Sequence, residues 1–306
     1  MEFLLKLFFL FSIIPFLMAE KLQDKYDLRI NTQVVDTLFT SNRPIGIIDN
    51  KEIDEASGLA ASRVHPGILY AHNDSGGKPY VYMIDTSGSY VGKIKLEGVN
   101  NRDWEDIAVG PGPDRGSSYI YIGEIGDNYS RHDQIYVYRF KEPDLLESDL
   151  SIVPDKVALE YPDGPQDAET LLVDPWTGDL FILSKRDSSN ALYRAAVDKL
   201  EHEKVLLEKV MNLPITLSTG GDISGDGKQI LIKNYWVIYY WERNEGESVV
   251  QALKRTPVLL PYNPEPQGEA IAFSADGQGY FTLSEKRLRV EPVLYRYDRL
   301  VPVSQN

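Results

Sequence analysis

The chain has no cysteine among its 306 residues. Disulfide staples, thiolate metal sites and a cysteine nucleophile are thereby excluded, and a domain of this size folds without them. Histidine is nearly as scarce, with only His65, His72, His132 and His202. The closest pair, His65 and His72, lacks a compact zinc spacing. Positive charge is in deficit: 32 Lys and Arg stand against 46 Asp and Glu, for a formal net charge of −14. This balance disfavours nucleic acid and anionic membrane as partners and suits cations. Gly-x-Ser-x-Gly is missing, and Ser57, which precedes a glycine, has no evident triad partner. Beyond the N-terminus no apolar run is long enough to span a bilayer, which takes about 20 residues.

The one long apolar run is Leu7 to Met18, broken by Ser12 and Pro15 and preceded by Lys6. Ala19 before Glu20 is a plausible cleavage point, so residues 1–19 read as a secretory signal peptide. Leu17 is unusual three positions before cleavage, which leaves an uncleaved anchor as the alternative. The expectation is a secreted, monomeric protein (periplasmic in a bacterium) with no integral membrane segment in the mature chain. Hydrophobic residues make up 42% of the sequence, enough for one large buried core.

What is abundant is repetition. Five strands carry a central tyrosine: Val81–Ile84, Ile135–Tyr138, Leu192–Ala195, Ile238–Trp241 and Leu294–Tyr297. Tyr82, Tyr136, Tyr193, Tyr239 and Tyr295 lie 54, 57, 46 and 56 residues apart. Each is preceded by two strands joined at a turn. Asp174–Asp179, Ser224–Gly227 and Ser274–Gly277 are hairpin signals, with Gly supplying positive φ. Candidate fourth strands are Tyr90–Leu96, Lys156–Tyr161, Val205–Leu213 and Pro257–Pro261. Repeats of this length built of short strands predict an all-β chain, a single β-propeller of four-stranded antiparallel blades. Five blades are favoured and six remain possible.

The fifth unit ends before a fourth strand. Residues 20–54 hold two strand-like runs, Gln33–Phe39 and Ile45–Ile48. The second is expected to pair beside the last blade and close the ring, because an open seam would leave a bare sheet edge. The propeller domain then spans 55–306. Only Val197–Lys209 has helical character, and it reads equally well as an outer strand.

In a propeller the start of each first strand and the end of each second strand meet at one channel mouth. Acids gather there. Glu55, Asp103, Glu105, Asp106, Asp167, Glu169, Asp222 and Glu269 precede or begin first strands. Asp74, Glu124, Asp127 and Glu285 lie at or beyond second-strand ends, with Lys185 and Lys233 in comparable places. By turn spacing Ser57 rather than Glu55 matches Glu105, and Thr219 rather than Asp222 matches Glu269. Converging carboxylates need a cation, protons or a basic ligand. An oxygen-only donor set favours Ca²⁺ over Zn²⁺ or Cu²⁺. The candidate metal ligands are Glu105, Asp127, Asp167, Glu169 and Glu269. Glu55, Asp74, Glu124, Lys185, Asp222, Lys233 and Glu285 are candidates for contact with a small-molecule, glycan or protein ligand. The competing reading is that these acids cap strand ends and sit in solvent. The loop Gly123–Asn128 could wrap a cation or form an ordinary turn. Trp104, Trp176, Trp236 and Trp241 could be sugar platforms or blade-interface fillers. Asn73 and Asn128 head N-glycosylation sequons.

Trp104-Glu105-Asp106-Ile107-Ala108, Gly126-Asp127-Asn128, Tyr161 through Glu169, Thr219 through Ser224 and Pro266 through Ala270 form an ordered series. It resembles a family of secreted, mostly bacterial β-propeller proteins of uncharacterised activity. More distantly, Asp167–Asp174 through Leu180–Lys185, and Ala275–Tyr280, are similar to blades of the β-propeller phytases. That resemblance implies a Ca²⁺ site and Ca²⁺-dependent hydrolysis of phosphate or other esters. In such an enzyme Glu105, Glu169 and Glu269 would hold metal, while Lys185 and Lys233 would steady the anion. Lys185 stands where those enzymes tend to carry acid, only five units are visible, and no dense Lys/Arg phosphate cluster is evident. An extracellular scaffold without catalysis is the other reading.

Overall fold

Hairpins dictate the architecture. The turns joining first to second strands carry Gly178, Gly227 and Gly277 at φ of 78°, 73° and 66°, a region that side chains other than glycine rarely adopt. The computed structural model describes residues 37–287 and 290–300. The signal-peptide reading of residues 1–19, and most of the strand expected at Gln33–Phe39, fall outside them. Of that strand only the end is described. Phe39 bridges to Arg299 and is wholly buried against Tyr240 and Tyr280.

The described chain is a five-bladed β-propeller, and three of its five sheets stop at the fourth strand while two carry a fifth. Blade I is β2 (Ala56–Ala61), β3 (Ile68–Asn73), β4 (Tyr80–Asp85) and β5 (Tyr90–Leu96). Blade II is β6 (Trp104–Pro111), β7 (Ser118–Glu124), β8 (Ile135–Lys141) and β10 (Asp155–Glu160). Blade III is β11 (Ala168–Val173), β12 (Leu180–Ser184), β13 (Ala191–Ala195) and β15 (Glu208–Asn212). Blade IV is β16 (Ser218–Ile223), β17 (Gln229–Asn234), β18 (Ile238–Glu242) and β19 (Val258–Leu260). Blade V is β20 (Gly268–Phe273), β21 (Gly279–Ser284) and β22 (Val293–Asp298), completed by β1 (Arg43–Ile47) from the N-terminal side. The pairs Arg43↔Arg296 and Ile47↔Val293 close the ring as expected.

Two extra strands join neighbouring blades. Strand β9 (Asp149–Ile152), on the way from β8 to β10, pairs in parallel with β5 of blade I. Strand β14 (Val205–Leu206), ahead of β15, does the same with β10 of blade II. The single run expected at Val205–Leu213 is therefore split between two blades. A 3₁₀ turn at Val197–Lys199 is all that forms of the helical character there. A five-residue helix, Val249–Leu253, was not expected. Ser248 and Gln251 close a capping box at its start, and Val249, Ala252 and Leu253 are buried.

Packing follows position in the blade. The five inner strands are buried along almost their whole length, because each faces a neighbouring blade on both sides. The outer strands β9 and β10 alternate between exposed and covered residues. Interblade layers such as Leu59, Leu69, Phe281 and Leu283 (blades I and V) supply the core. Each such side chain contributes about 1.5–3 kcal/mol of burial.

Register corrects one tyrosine. In blades I, III, IV and V the repeat tyrosine faces Ala71, Ile182, Ile232 and Thr282, each two residues before the second-strand end. In blade II that place, Ile122, faces Tyr138 and not Tyr136. The echo of strands is sound, but its member in blade II sits two residues later.

Candidate functional site

Every inner strand carries a β-bulge at its second residue, where pairing to the second strand slips by one. A bulge re-aims the extra side chain. The five bulged residues are Ser57, Glu105, Glu169, Thr219 and Glu269, the alignment that turn spacing gives. Ser57 Oγ donates to the Glu105 carbonyl at 2.5 Å, and Thr219 Oγ1 to the Glu269 carbonyl at 3.4 Å. The hydroxyls thus tie their blades to the next, while the three glutamates form the throat of the channel mouth.

One residue past each second strand stand Asp74, Ile125, Lys185, Tyr235 and Glu285. Lys185 donates to Glu169 Oε1 and, at 3.0 Å, to Tyr235 Oη. Tyr235 in turn donates to Glu269 Oε1 at 2.7 Å. The result is a chain, Glu169–Lys185–Tyr235–Glu269, across one half of the throat. Glu169 Oε2 is buried with no partner. On the other half, oxygens of Asp74, Asp103 and Glu105 lie within 4.8 Å of one another. Gly126 permits this: a Cβ there would stand 2.1 Å from Glu105 Oε1 and 2.6 Å from Asp103 Oδ2. Among the described residues none of the three forms an ion pair.

The electrostatics follow from this crowding. Burial, then Glu169 and Asp74, hold the Glu105 carboxyl well above its ordinary value. Burial, then Asp74 and Asp167, push Asp103 up to about 6. Glu169 is raised by burial against the pull of Lys185, and Glu269 likewise against Lys185 and the Tyr235 bond. Burial works against the Lys185 ammonium, but Glu169, Tyr235, Glu269 and Glu105 outweigh it and keep it protonated. Glu285, pushed up to about 8 by burial and Glu269, pairs with Arg287 at 2.9 Å.

The remaining candidates are placed less centrally. Asp127 Oδ2 caps the turn that follows, accepting from the amides of Arg131 (2.5 Å) and His132 (2.7 Å). Its own amide donates to Asp167 Oδ1 at 2.8 Å, and Asp167 also pairs with Arg186. Neither is brought to the Asp74–Asp103–Glu105 group as a third-blade ligand. Glu124 turns toward Arg102 (3.7 Å) and Tyr138 (3.4 Å). Glu55 is exposed at the lip. Asp222 lies deeper, accepting from the amides of Ile223 and Phe273, both at 2.8 Å. Asp106 does the same for Ile107 and Leu171 at 2.9 Å and Gly221 at 3.3 Å, joining three blades.

Lys233 stands one residue before its strand end, two short of the Lys185 register, and is wholly buried. It donates to the Gly268 and Asn234 carbonyls and lies 4.8 Å over the Tyr262 ring. Burial lowers it to about 8, against Glu265 and Glu269. Asn73 is 8% exposed, and its Nδ2 donates to the Glu52 carbonyl at 2.6 Å. Asn128 is exposed. Trp104 and Trp241 are core residues, Trp236 packs on Tyr235 at the mouth, and Trp176 lies at the far end.

Tyr235 escaped the sequence reading, as did the part played by Asp103. Both carry a usable signal. Tyr235 occupies the repeat position of Lys185, and Asp103 lies two residues before the bulge, where Glu55, Asp167 and Gln267 fall in other blades.

No protein-family model matches the chain, and no curated protein matches it in sequence. Among solved structures it is similar to the PQQ-bound aldose sugar dehydrogenase of Streptomyces coelicolor: TM-score 0.49, 10% identity, 85% of this chain and 98% of that one covered. It is also similar to the Neurospora crassa Pan2 WD40 domain (0.46, 10%, 89% and 98%). A nidogen/laminin complex gives 0.43 and 13%, over 76% and 73%. These likenesses carry no activity to this chain. Among the described residues no helix is long and apolar enough to cross a membrane.

Proposed function

We propose that this propeller, secreted as its N-terminal sequence suggests, binds one Ca²⁺ at Asp74, Asp103 and Glu105 and offers that charge to an anionic group of a ligand. The observation that carries the reading is the meeting of three carboxylates, none of them in an ion pair among the described residues, at the close approach that Gly126 permits. The donors are oxygen only, and three protein carboxylates with room for solvent suit Ca²⁺ better than a softer metal. Lys185, with Arg186 beside it, supplies further positive charge for the anion. The Asn128 sequon is the one exposed enough to accept a glycan.

The test is thermal unfolding with Ca²⁺, Mg²⁺ or EDTA, since a ligand that binds only the folded state raises its melting temperature. Millimolar Ca²⁺ is expected to raise Tm in the wild type and not in Asp103→Asn or Glu105→Gln. No shift in the wild type sinks the reading.

A second reading, Ca²⁺-dependent ester hydrolysis, is favoured by one feature. Glu169 Oε2 is a buried, unpartnered proton acceptor beside the triad. The bound metal would supply Lewis acidity, Lys185 would orient the anion, and Glu169 would accept a proton. Turnover of a phosphate or carboxylate ester with Ca²⁺, lost in Glu169→Gln, is the expected result. A Glu169→Gln variant as active as wild type removes it, and a panel with no turnover leaves a binding protein or scaffold.

A further inference from the structure

The two halves of the throat solve the same electrostatic problem differently. Glu169 and Glu269 face each other across Lys185 and Tyr235. The ammonium lies 5.2 Å from the Tyr235 ring centroid, and the Lys185 side chain is 8% exposed, so it is held inside the throat. Among the described residues no other Lys or Arg forms an ion pair with Glu169 or Glu269. Asp74, Asp103 and Glu105 form no ion pair among the described residues, with Lys185 and Arg102 acting on Glu105 and Asp103 only from a distance.

Lys185 also breaks the repeat. Its position holds Asp74 and Glu285 in blades I and V, at the same height above the bulges. Its ammonium touches two oxygens, Glu169 Oε1 and Tyr235 Oη, and Tyr235 carries the contact on to Glu269 Oε1. The other carboxylate oxygen of Glu169, Oε2, belongs to a side chain only 6% exposed and has no partner. Glu169 therefore keeps one acid oxygen that its lysine does not use.

We infer that Lys185 is a tethered counter-cation: its ammonium fills the place of a second divalent ion between Glu169 and Glu269 and thereby limits the mouth to a single bound metal. The inference rests on the reading of Asp74, Asp103 and Glu105 as the first site. It assigns Lys185 the role of setting metal stoichiometry. The ammonium carries one charge where a Ca²⁺ would carry two, so the acid oxygens remain under-neutralised, and the anion-facing charge at this half stays fixed whatever the metal supply. An ammonium on a side chain cannot be chelated away.

Calorimetric titration with Ca²⁺, and Tb³⁺ luminescence sensitised by Tyr235, test it in the whole chain. The wild type is expected to bind one ion. Lys185→Met is expected to bind two, with Tb³⁺ emission excited through tyrosine rising at least twofold. Lys185→Arg keeps a cation and is expected to bind one. The added site is expected to vanish in Lys185→Met/Glu169→Gln, which must keep the wild-type β-sheet spectrum. Lys185→Gln replaces Lys185→Met should the latter fail to fold. A Lys185→Met or Lys185→Gln protein that folds and binds one ion, like the wild type, overturns the inference and leaves the first site standing. A wild type that binds none while Lys185→Met binds one removes the first site and keeps the role of Lys185. No ion in either protein overturns both.

Discussion

The two ends of the channel treat buried charge in opposite ways. At the far end buried acids find their partners within the chain, an arginine in one case and hydrogen-bond donors in another. Arg243 holds both oxygens of Asp174 at 2.7 and 2.9 Å and stacks 3.8 Å over Trp176. Glu142 accepts from Ser62 Oγ at 2.6 Å, Tyr70 Oη at 3.1 Å and the Arg63 amide. At the mouth, arginines pair with Glu124, Asp167 and Glu285, but in the throat acids face acids, and one lysine pairs with Glu169 and reaches Glu269 only through Tyr235. Matched buried charge is complete in itself and serves the fold. Unmatched buried charge costs stability, and such clusters concentrate at functional sites.

The sharpest way to break this contrast is at the far end. Arg243→Met leaves Asp174 buried without its cation and is expected to cost about 3–5 kcal/mol in denaturant unfolding. A loss under about 1 kcal/mol would erase the distinction between the ends.

Next comes Asp222, in the channel wall between them. Burial pushes its carboxyl up to about 6, against Arg63 and its two amide bonds, with Asp106 as the neighbouring acid. A raised carboxyl binds its proton more tightly folded than unfolded. Its contribution is therefore present in full below the ordinary value of about 4 and lost as pH rises through 6. In EDTA, Tm is expected to be a few degrees higher at pH 5 than at pH 7.5, from roughly 2–3 kcal/mol at most. Asp222→Asn should reduce that slope, leaving the part that Asp103 and Glu285 carry in the same direction, and an unchanged slope would assign it wholly to them.

At the mouth the sign reverses. Glu105→Gln removes a buried charge that forms no ion pair among the described residues and feels Lys185 only at a distance. In EDTA it is expected to stabilise by about 1 kcal/mol, in the range of favourable single substitutions, while abolishing the Ca²⁺ shift. A destabilised variant would place Glu105 with the matched charges. The smallest effect belongs to the surface pair Lys95–Glu97, 3.0 Å apart and nearly half exposed. Lys95→Ala is expected to change stability by less than about 0.5 kcal/mol, which sets the scale for the other three.

The blades were legible because a strand buried on both faces leaves a continuous apolar run, and a hairpin leaves a glycine. The equivalence of Ser57 and Thr219 with three glutamates was legible from turn spacing, while the bulge that all five share shows only in the cross-strand pairing. Blade II misled by two residues because Tyr136 and Tyr138 both fit a period-two strand, and only cross-strand pairing distinguishes them. Strand β9 alternates polar and apolar residues over only four positions, too few to mark a strand without the edge of β5 that it pairs with. The capping box of Val249–Leu253 was present in the sequence, but five residues are too few to show a helical period. The site was harder to read. An acid before a strand looks the same whether it caps an amide, as Asp127, Asp222 and Asp106 do, or faces another acid. That difference is set by which backbone N–H lies nearest, and no spacing records it.

The closing strand has a consequence in time. Arg43 and Asp298, which meet at the seam, are 255 residues apart in the chain. Strand β1 leaves the ribosome among the first residues of the domain and waits unpaired until β22, its partner, has been made. The last blade therefore cannot form before β22 exists, and its formation closes a span of 255 residues, the slowest class of contact. A ring built this way is held open by its own seam until the fifth blade is made.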